Sequence, residues 1–191
     1  QKIMPEVFDV WMQILNAVPK SVLWLADQNQ VGKENLLKEA ELRGVDGNRL
    51  VFFKREVVLK ELEQSRIGQY LASYKLADLF LDAYPFNGGT TANDALFVQL
   101  PVLTYSGKTF ASRMAGSLLT ALGMPELITF TLEDYKKRAI ELGSHKQTFE
   151  KVKKKLVRNA KSSPLFNMPL FVKNFEKELF KVASAVSHPN K

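Results

Sequence analysis

The residues of this chain whose types and spacing best suit chemistry are Gly89, Thr90, Thr91 and Asp94, in the stretch YPFNGGTTANDAL. A glycine loop opening into a helix presents backbone N–H groups with a partial positive charge, which favours phosphate. Asn87-Gly88-Gly89 cannot comfortably continue a strand and can take positive φ. Thr90 and Thr91 are good helix N-caps, and Thr91 with Asp94 has capping-box spacing. The same residues also describe a well-capped helix after a tight turn, so residue types alone leave both readings open.

Other constellations carry less. Gly107-Lys108-Thr109 has the form of a P-loop tail, but the position that should hold the earlier glycine is Val102, which excludes that site. No G-x-G-x-x-G follows the first expected strand, and there is no G-x-S-x-G elbow. Cysteine is absent and the two histidines, His145 and His188, are far apart, so a thiolate or His-based metal cluster is not expected. The net charge of +7 suits anionic partners. Its densest cluster, Lys151, Lys153, Lys154, Lys155 and Arg158, reads as the solvated face of a helix. The aromatic residues are weighted to Phe and are expected mainly at core positions. They do not interleave with basic residues as in RNA-binding sheets.

These residues need a scaffold. Short apolar runs predict strands at Ser21–Leu25, Arg49–Phe53, Leu76–Asp82, Pro101–Thr104 and Leu127–Phe130. The third reads as a strand covered on both faces. Helical spacing predicts helices after Pro5, over Glu34–Arg43 with Gly44 as the stop, and through residues 57–75 with a break at Gly68. Further helices are expected from Thr91 to Gln99, over Phe110–Leu122 ending at Gly123, and from Thr131, capped with Asp134, to Leu142. Two more cover residues 147–160 and Pro169–Ala185. Alternating strands and helices through the first 130 residues predict an α/β fold, a doubly wound parallel sheet with a helical C-terminal tail. Ligands in that class bind beyond the C-terminal strand ends, where the glycine loop falls. No run is long enough for a membrane span. The start, QKIMPEVFDV, lacks signal-peptide character and an initiator Met, which suggests a piece of a longer protein.

A resemblance extends this reading. KIMPEVFDVWMQILNAVPKSVLWL at the front, the long stretch from LADLFLDAYPFNGGTTANDAL to GMPELI, and SSPLFN near the end occur in the order found in the C-terminal catalytic lobe of the protein O-GlcNAc transferases. The chain resembles the Rossmann-like C-terminal half of these GT-B glycosyltransferases over nearly its whole length. The resemblance implies a nucleotide-sugar-binding lobe over residues 1–160, with 161–191 forming the crossing segment and last helix of the same lobe.

It also implies roles. Lys2 matches the family lysine that contacts the diphosphate and supports turnover. A cation there offsets charge that grows on the leaving group. Gly89, Thr90 and Thr91 match the loop that holds the phosphates, and Asp94 the aspartate that contacts the ribose. The histidine that packs on the uracil is replaced by Tyr70, whose ring can still stack on a base. The basic residue beside it is replaced by Ser73, which brings no charge, and Arg55 is a loose candidate for that role. The implied reaction is inverting transfer of GlcNAc from UDP-GlcNAc to Ser or Thr of an acceptor protein, with no metal and no cofactor beyond the donor. The family's candidate catalytic histidine precedes this chain. An upstream N-terminal lobe and tetratricopeptide repeats are therefore expected partners, and the chain alone is expected to be inactive. The expected location is the cytoplasm. Open alternatives are another donor or acceptor, such as GDP-fucose or Asn, and a lobe kept as a binding or scaffold module. Nucleic acid is the weakest of the candidate partners, and a membrane is not expected.

Overall fold

A computed structural model of the chain describes residues 3–27, 29–53 and 66–187. Helix α1 (Pro5–Ala17) begins with Pro5 at the start and Glu6 in the first turn, where neither a missing N–H nor a negative charge is penalised. It buries Val7, Phe8, Trp11, Ile14 and Leu15. Arg49 closes its far end. Its Nη2 donates to the carbonyls of Leu15 and Val18 at 2.8 Å each, and its Nε to that of Ser21 at 2.9 Å. Carbonyls left over at a helix C-terminus thereby find a cation.

Strands β1 (Leu23–Ala26) and β2 (Leu50–Phe53) pair in parallel, with Leu23 opposite Leu50. Helix α2 (Gln30–Leu42) connects them. It starts where Asn29 Oδ1 accepts the Gly32 N–H at 2.7 Å, and it stops at Gly44, whose φ of +73° is the expected left-handed C-terminal conformation. A second parallel ladder runs in the order β3 (Phe80–Leu81), β4 (Val102–Tyr105), β5 (Ile128–Thr129). Helices α3 (Arg66–Tyr74), α4 (Thr90–Phe97), α5 (Met114–Ala121) and α6 (Leu132–Ser144) alternate with these strands, followed by α7 (Lys146–Ser162) and α8 (Met168–Ser187). The α/β class, parallel pairing and helical tail agree with expectation. Among the described residues, however, the strands form two ladders and not one continuous sheet.

Three expectations change. The strand predicted over Leu76–Asp82 is reduced to Phe80–Leu81, because the N–H groups of Leu76 and Ala77 turn back onto the Ser73 and Tyr74 carbonyls at the end of α3. Leu76 is 73% exposed, so its apolar character marks no buried strand. Gly68 lies inside α3 and breaks nothing; residues 57–65 of that predicted helix fall outside the described residues. Phe is also not mainly a core residue. Of 13 Phe, seven are exposed: Phe86, Phe97, Phe110, Phe130, Phe171, Phe175 and Phe180. The last three lie along α8, whose apolar face is open.

The core is mainly aliphatic, built from the buried face of α1, strand β4 and the inner sides of α4 to α7. A polar thread crosses it. The Trp11 indole N–H donates to the Tyr135 hydroxyl at 3.3 Å, and that hydroxyl donates to the Asp82 carbonyl at 3.1 Å. It joins α1, α6 and the end of β3, and it satisfies groups that would be costly to bury alone. Among the described residues, no helix is long and apolar enough to cross a membrane.

Candidate functional site

The site begins where β3 ends. Asp82 is 2% exposed, and its carboxylate is bound into the fold. Oδ1 accepts the N–H groups of Gly88 at 2.7 Å and Ala83 at 3.0 Å, and Oδ2 accepts the Thr104 hydroxyl of β4 at 2.7 Å. The chain passes through a cis Tyr84–Pro85 bond to Asn87, which is fully buried. The Asn87 amide nitrogen donates to the carbonyls of Ala83 at 2.9 Å and Tyr105 at 3.3 Å, while its backbone N–H donates to Ala111 at 3.1 Å. The loop is thus pinned from β3, from β4 and from the connection after β4. Tyr84 and Tyr105 stack beside it with ring centroids 4.1 Å apart. The hydrogen bond with Tyr84, reinforced by burial, pushes the Tyr105 phenol above its ordinary range.

The glycines are used for space and not for positive φ. Positive φ among glycines occurs only at Gly44 and Gly123 among the described residues, which corrects the expectation for Asn87-Gly88-Gly89. A Cβ on Gly88 would lie 2.8 Å from Thr91 Oγ1 and 3.2 Å from the Ala92 nitrogen, closer than side chains tolerate. On the neighbouring loop, a Cβ on Gly107 would meet Ser112 Oγ at 2.6 Å and the Tyr84 ring at 2.8 Å.

The capping box is not formed. Gly89 is the N-cap of α4, no side chain caps it, and Thr90 and Thr91 occupy the first turn with exposed side chains. The spacing misled because the start of the helix is set from behind, by the Asp82 grip on Gly88. Its consequence is chemical. The Asn87 and Gly88 N–H groups are consumed by Ala111 and Asp82, whereas those of Gly89, Thr90, Thr91 and Ala92 have no partner among the described residues. Four such donors, aligned with the helix dipole, are an arrangement that favours an anion.

Asp94 lies one turn along α4, half-buried, and no hydrogen bond or ion pair engages its carboxylate among the described residues. At i+3 from Thr91 and i+4 from Thr90 it shares their side of the helix, while Ala92, Ala95 and Leu96 are buried on the other. The structure therefore brings Gly89, Thr90, Thr91 and Asp94 together.

Tyr70 lies on α3, which packs against α4. Its hydroxyl lies 2.7 Å from that of Tyr74, and the two rings meet edge to face at 5.2 Å. Ser73 is buried and donates to the Tyr70 carbonyl at 2.6 Å, so it is spent within its own helix. Lys2 and Arg55 lie outside the described residues. Thr109 of the rejected P-loop tail is structural: it exchanges hydrogen bonds with Ser112. Among the described residues, no three His, Asp or Glu side chains group as metal ligands would.

Sequence reasoning missed Asp82, Asn87 and Thr104. The available signal was an ionisable residue ending an apolar run, since a carboxylate there must find donors.

Comparison with known proteins adds independent findings. A family profile described as glycosyl transferase family 41 matches residues 1–175. The UDP-N-acetylglucosamine--peptide N-acetylglucosaminyltransferase of Caenorhabditis elegans is 38% identical over 175 residues, covering 92% of this chain and 14% of that protein. The probable UDP-N-acetylglucosamine--peptide N-acetylglucosaminyltransferase SEC of Arabidopsis thaliana is 32% identical over 182 residues, covering 95% and 18%. In structure, a mutant of the Thermobaculum terrenum O-GlcNAc transferase superposes with a TM-score of 0.81 at 32% identity, over 93% of this chain and 33% of that one. The chain thus spans less than a fifth of these two curated relatives and a third of the solved structure.

Proposed function

Because the chain belongs to glycosyl transferase family 41, whose profile spans residues 1–175, we propose that it is the donor-binding half of an inverting protein glycosyltransferase. The donor is UDP-GlcNAc and the acceptor a Ser or Thr hydroxyl of a protein. One observation carries this reading: four N–H groups from Gly89 to Ala92, without a partner among the described residues, lie on one helix end beside the Thr90 and Thr91 hydroxyls and the Asp94 carboxylate. The diphosphate fits the N–H cluster and the threonine hydroxyls, which donate to its oxygens. Asp94, an acceptor one turn further on, suits the two ribose hydroxyls. Tyr70 offers an aromatic face to the base.

The reaction on this reading is a displacement. The acceptor oxygen bonds to the sugar C1, the bond from C1 to the UDP oxygen breaks, and the acceptor's proton passes to a base outside this chain. Charge grows on the departing diphosphate, where the loop N–H groups and Lys2 stabilise it more than they do the ground state. The base belongs to an upstream lobe, and the exposed Phe171, Phe175 and Phe180 face of α8 suits contact with that lobe. Repeats further upstream would bring acceptor proteins, and the cytoplasm is the matching compartment. The chain alone would bind donor without turnover.

Calorimetric titration with UDP tests this. The expected result is binding that weakens when Thr90 is replaced by Ala; no heat from either protein would remove the reading. One observation favours a second donor: Ser73 is buried and bonded to the Tyr70 carbonyl, so that position contributes nothing to reading uracil. Tighter binding of GDP than UDP in the same titration would select a GDP-sugar instead.

A further inference from the structure

We propose that Asp82 is the positioning residue of the phosphate-binding loop, a role that rests on the donor-site reading above. Asp82 is 2% exposed, and its carboxylate accepts from Gly88, Ala83 and Thr104. Its grip on Gly88 divides the loop's N–H groups. Those of Asn87 and Gly88 turn inward to Ala111 and Asp82. Those from Gly89 onward are left to a ligand. Without an acceptor at position 82, the Gly88 N–H would be a buried orphan and would compete with its neighbours for the same anion. Gly88 also has little room, since a Cβ added there would meet Thr91 Oγ1 at 2.8 Å and the Ala92 nitrogen at 3.2 Å. Turning one peptide therefore misdirects the whole row.

The charge of Asp82 is not what binding uses, since an anion beneath an anion site opposes the ligand. Its worth is the geometry of an acceptor. That separates two substitutions. Asp82→Asn keeps a carbonyl oxygen for Gly88 and Ala83; Asp82→Ala keeps none. Thr104→Val removes a partner of Asp82 while leaving its hold on Gly88, and so serves as a control for general loosening.

The test is UDP titration of the 191-residue chain and these three variants, with amide hydrogen exchange read at Gly88 to Ala92. UDP affinity is expected to fall at least tenfold in D82A, and to stay within about threefold of the parent in D82N and T104V. Equal affinity in D82A and the parent would overturn the proposal, as would a D82N loss as large as that of D82A. If the parent does not bind UDP, the donor-site reading fails and exchange alone judges Asp82: faster Gly88 exchange in D82A and not in D82N upholds its hold on the loop, while equal rates refute it. If D82A does not fold, the parent decides, with Gly88 protected and Gly89 to Ala92 unprotected as the expected pattern. A Gly88 amide exchanging as fast as that of Gly89 would overturn the proposal.

Discussion

The Tyr135 hydroxyl donates to the Asp82 carbonyl at 3.1 Å although the two residues are 53 positions apart. Asp82 is thereby held from both its ends. Its carbonyl is tied through Tyr135 to Trp11 of α1, and its carboxylate is tied to the glycine loop and to Thr104. The N-terminal helix and the loop are parts of one connected polar network.

Tyr135→Phe removes two buried hydrogen bonds, one from the Trp11 N–H and one to the Asp82 carbonyl. Unfolding stability is expected to fall by about 1–3 kcal/mol, measured by urea denaturation. The same variant changes the alkaline limb. Burial pushes the Tyr135 phenol far above its ordinary value of 10.0. The folded state then holds a proton that the unfolded chain releases, so stability is full below pH 10 and falls as pH rises above it. Loss between pH 10 and 11 should be shallower in the Phe variant. An identical slope in both would show that Tyr135 does not carry this dependence.

Arg49→Ala leaves the carbonyls of Leu15, Val18 and Ser21 without their shared donor. A loss of about 2–3 kcal/mol is expected, while UDP binding is unaffected because the bonds of Arg49 go to Leu15, Val18 and Ser21 and to no residue of the loop. A thermal melt unchanged within a degree would contradict this role.

Gln99 adopts a φ of +65° at the end of α4, with Leu100 N–H returning to the Ala95 carbonyl at 2.8 Å. This is a left-handed C-terminal stop occupied by a residue that pays for the conformation. Gln99→Gly is expected to stabilise by about 0.5–1 kcal/mol, a rise of a few degrees in Tm. A lower Tm would show that the Gln side chain contributes more than the strain costs.

Gly88→Ala puts a Cβ 2.8 Å from Thr91 Oγ1 and 3.2 Å from the Ala92 nitrogen. The first turn of α4 must move, and UDP affinity should drop about tenfold, roughly 1.4 kcal/mol. Unchanged affinity would mean that the first-turn N–H groups are not the phosphate donors.

Two stretches with one spacing show how far the sequence could be read. Thr131 and Asp134 were expected to cap a helix, and they do: Thr131 Oγ1 accepts the Asp134 N–H at 3.0 Å. Thr91 and Asp94 have the same spacing and form no cap. The difference lies outside both motifs, in a carboxylate six positions before Gly88 that fixes where α4 begins. Local chemistry made the first helix start legible; a long-range bond between β3 and the loop decided the second. The stops at Gly44 and Gly123 were legible for the same local reason, each being a left-handed turn. Leu76, 73% exposed, was misread because apolar character shows that a surface favours burial, without saying that the residue lies in a strand.

The most direct test is titration of the isotopically labelled chain with UDP and, separately, with uridine, following the backbone amides. Saturable shifts centred on Gly89, Thr90, Thr91 and Ala92, with UDP but not with uridine, are expected at Kd of about a millimolar or tighter, and Thr90→Ala should weaken them. Silence of those four amides at saturating UDP, or equal shifts with uridine, would contradict the assignment of this loop to the diphosphate.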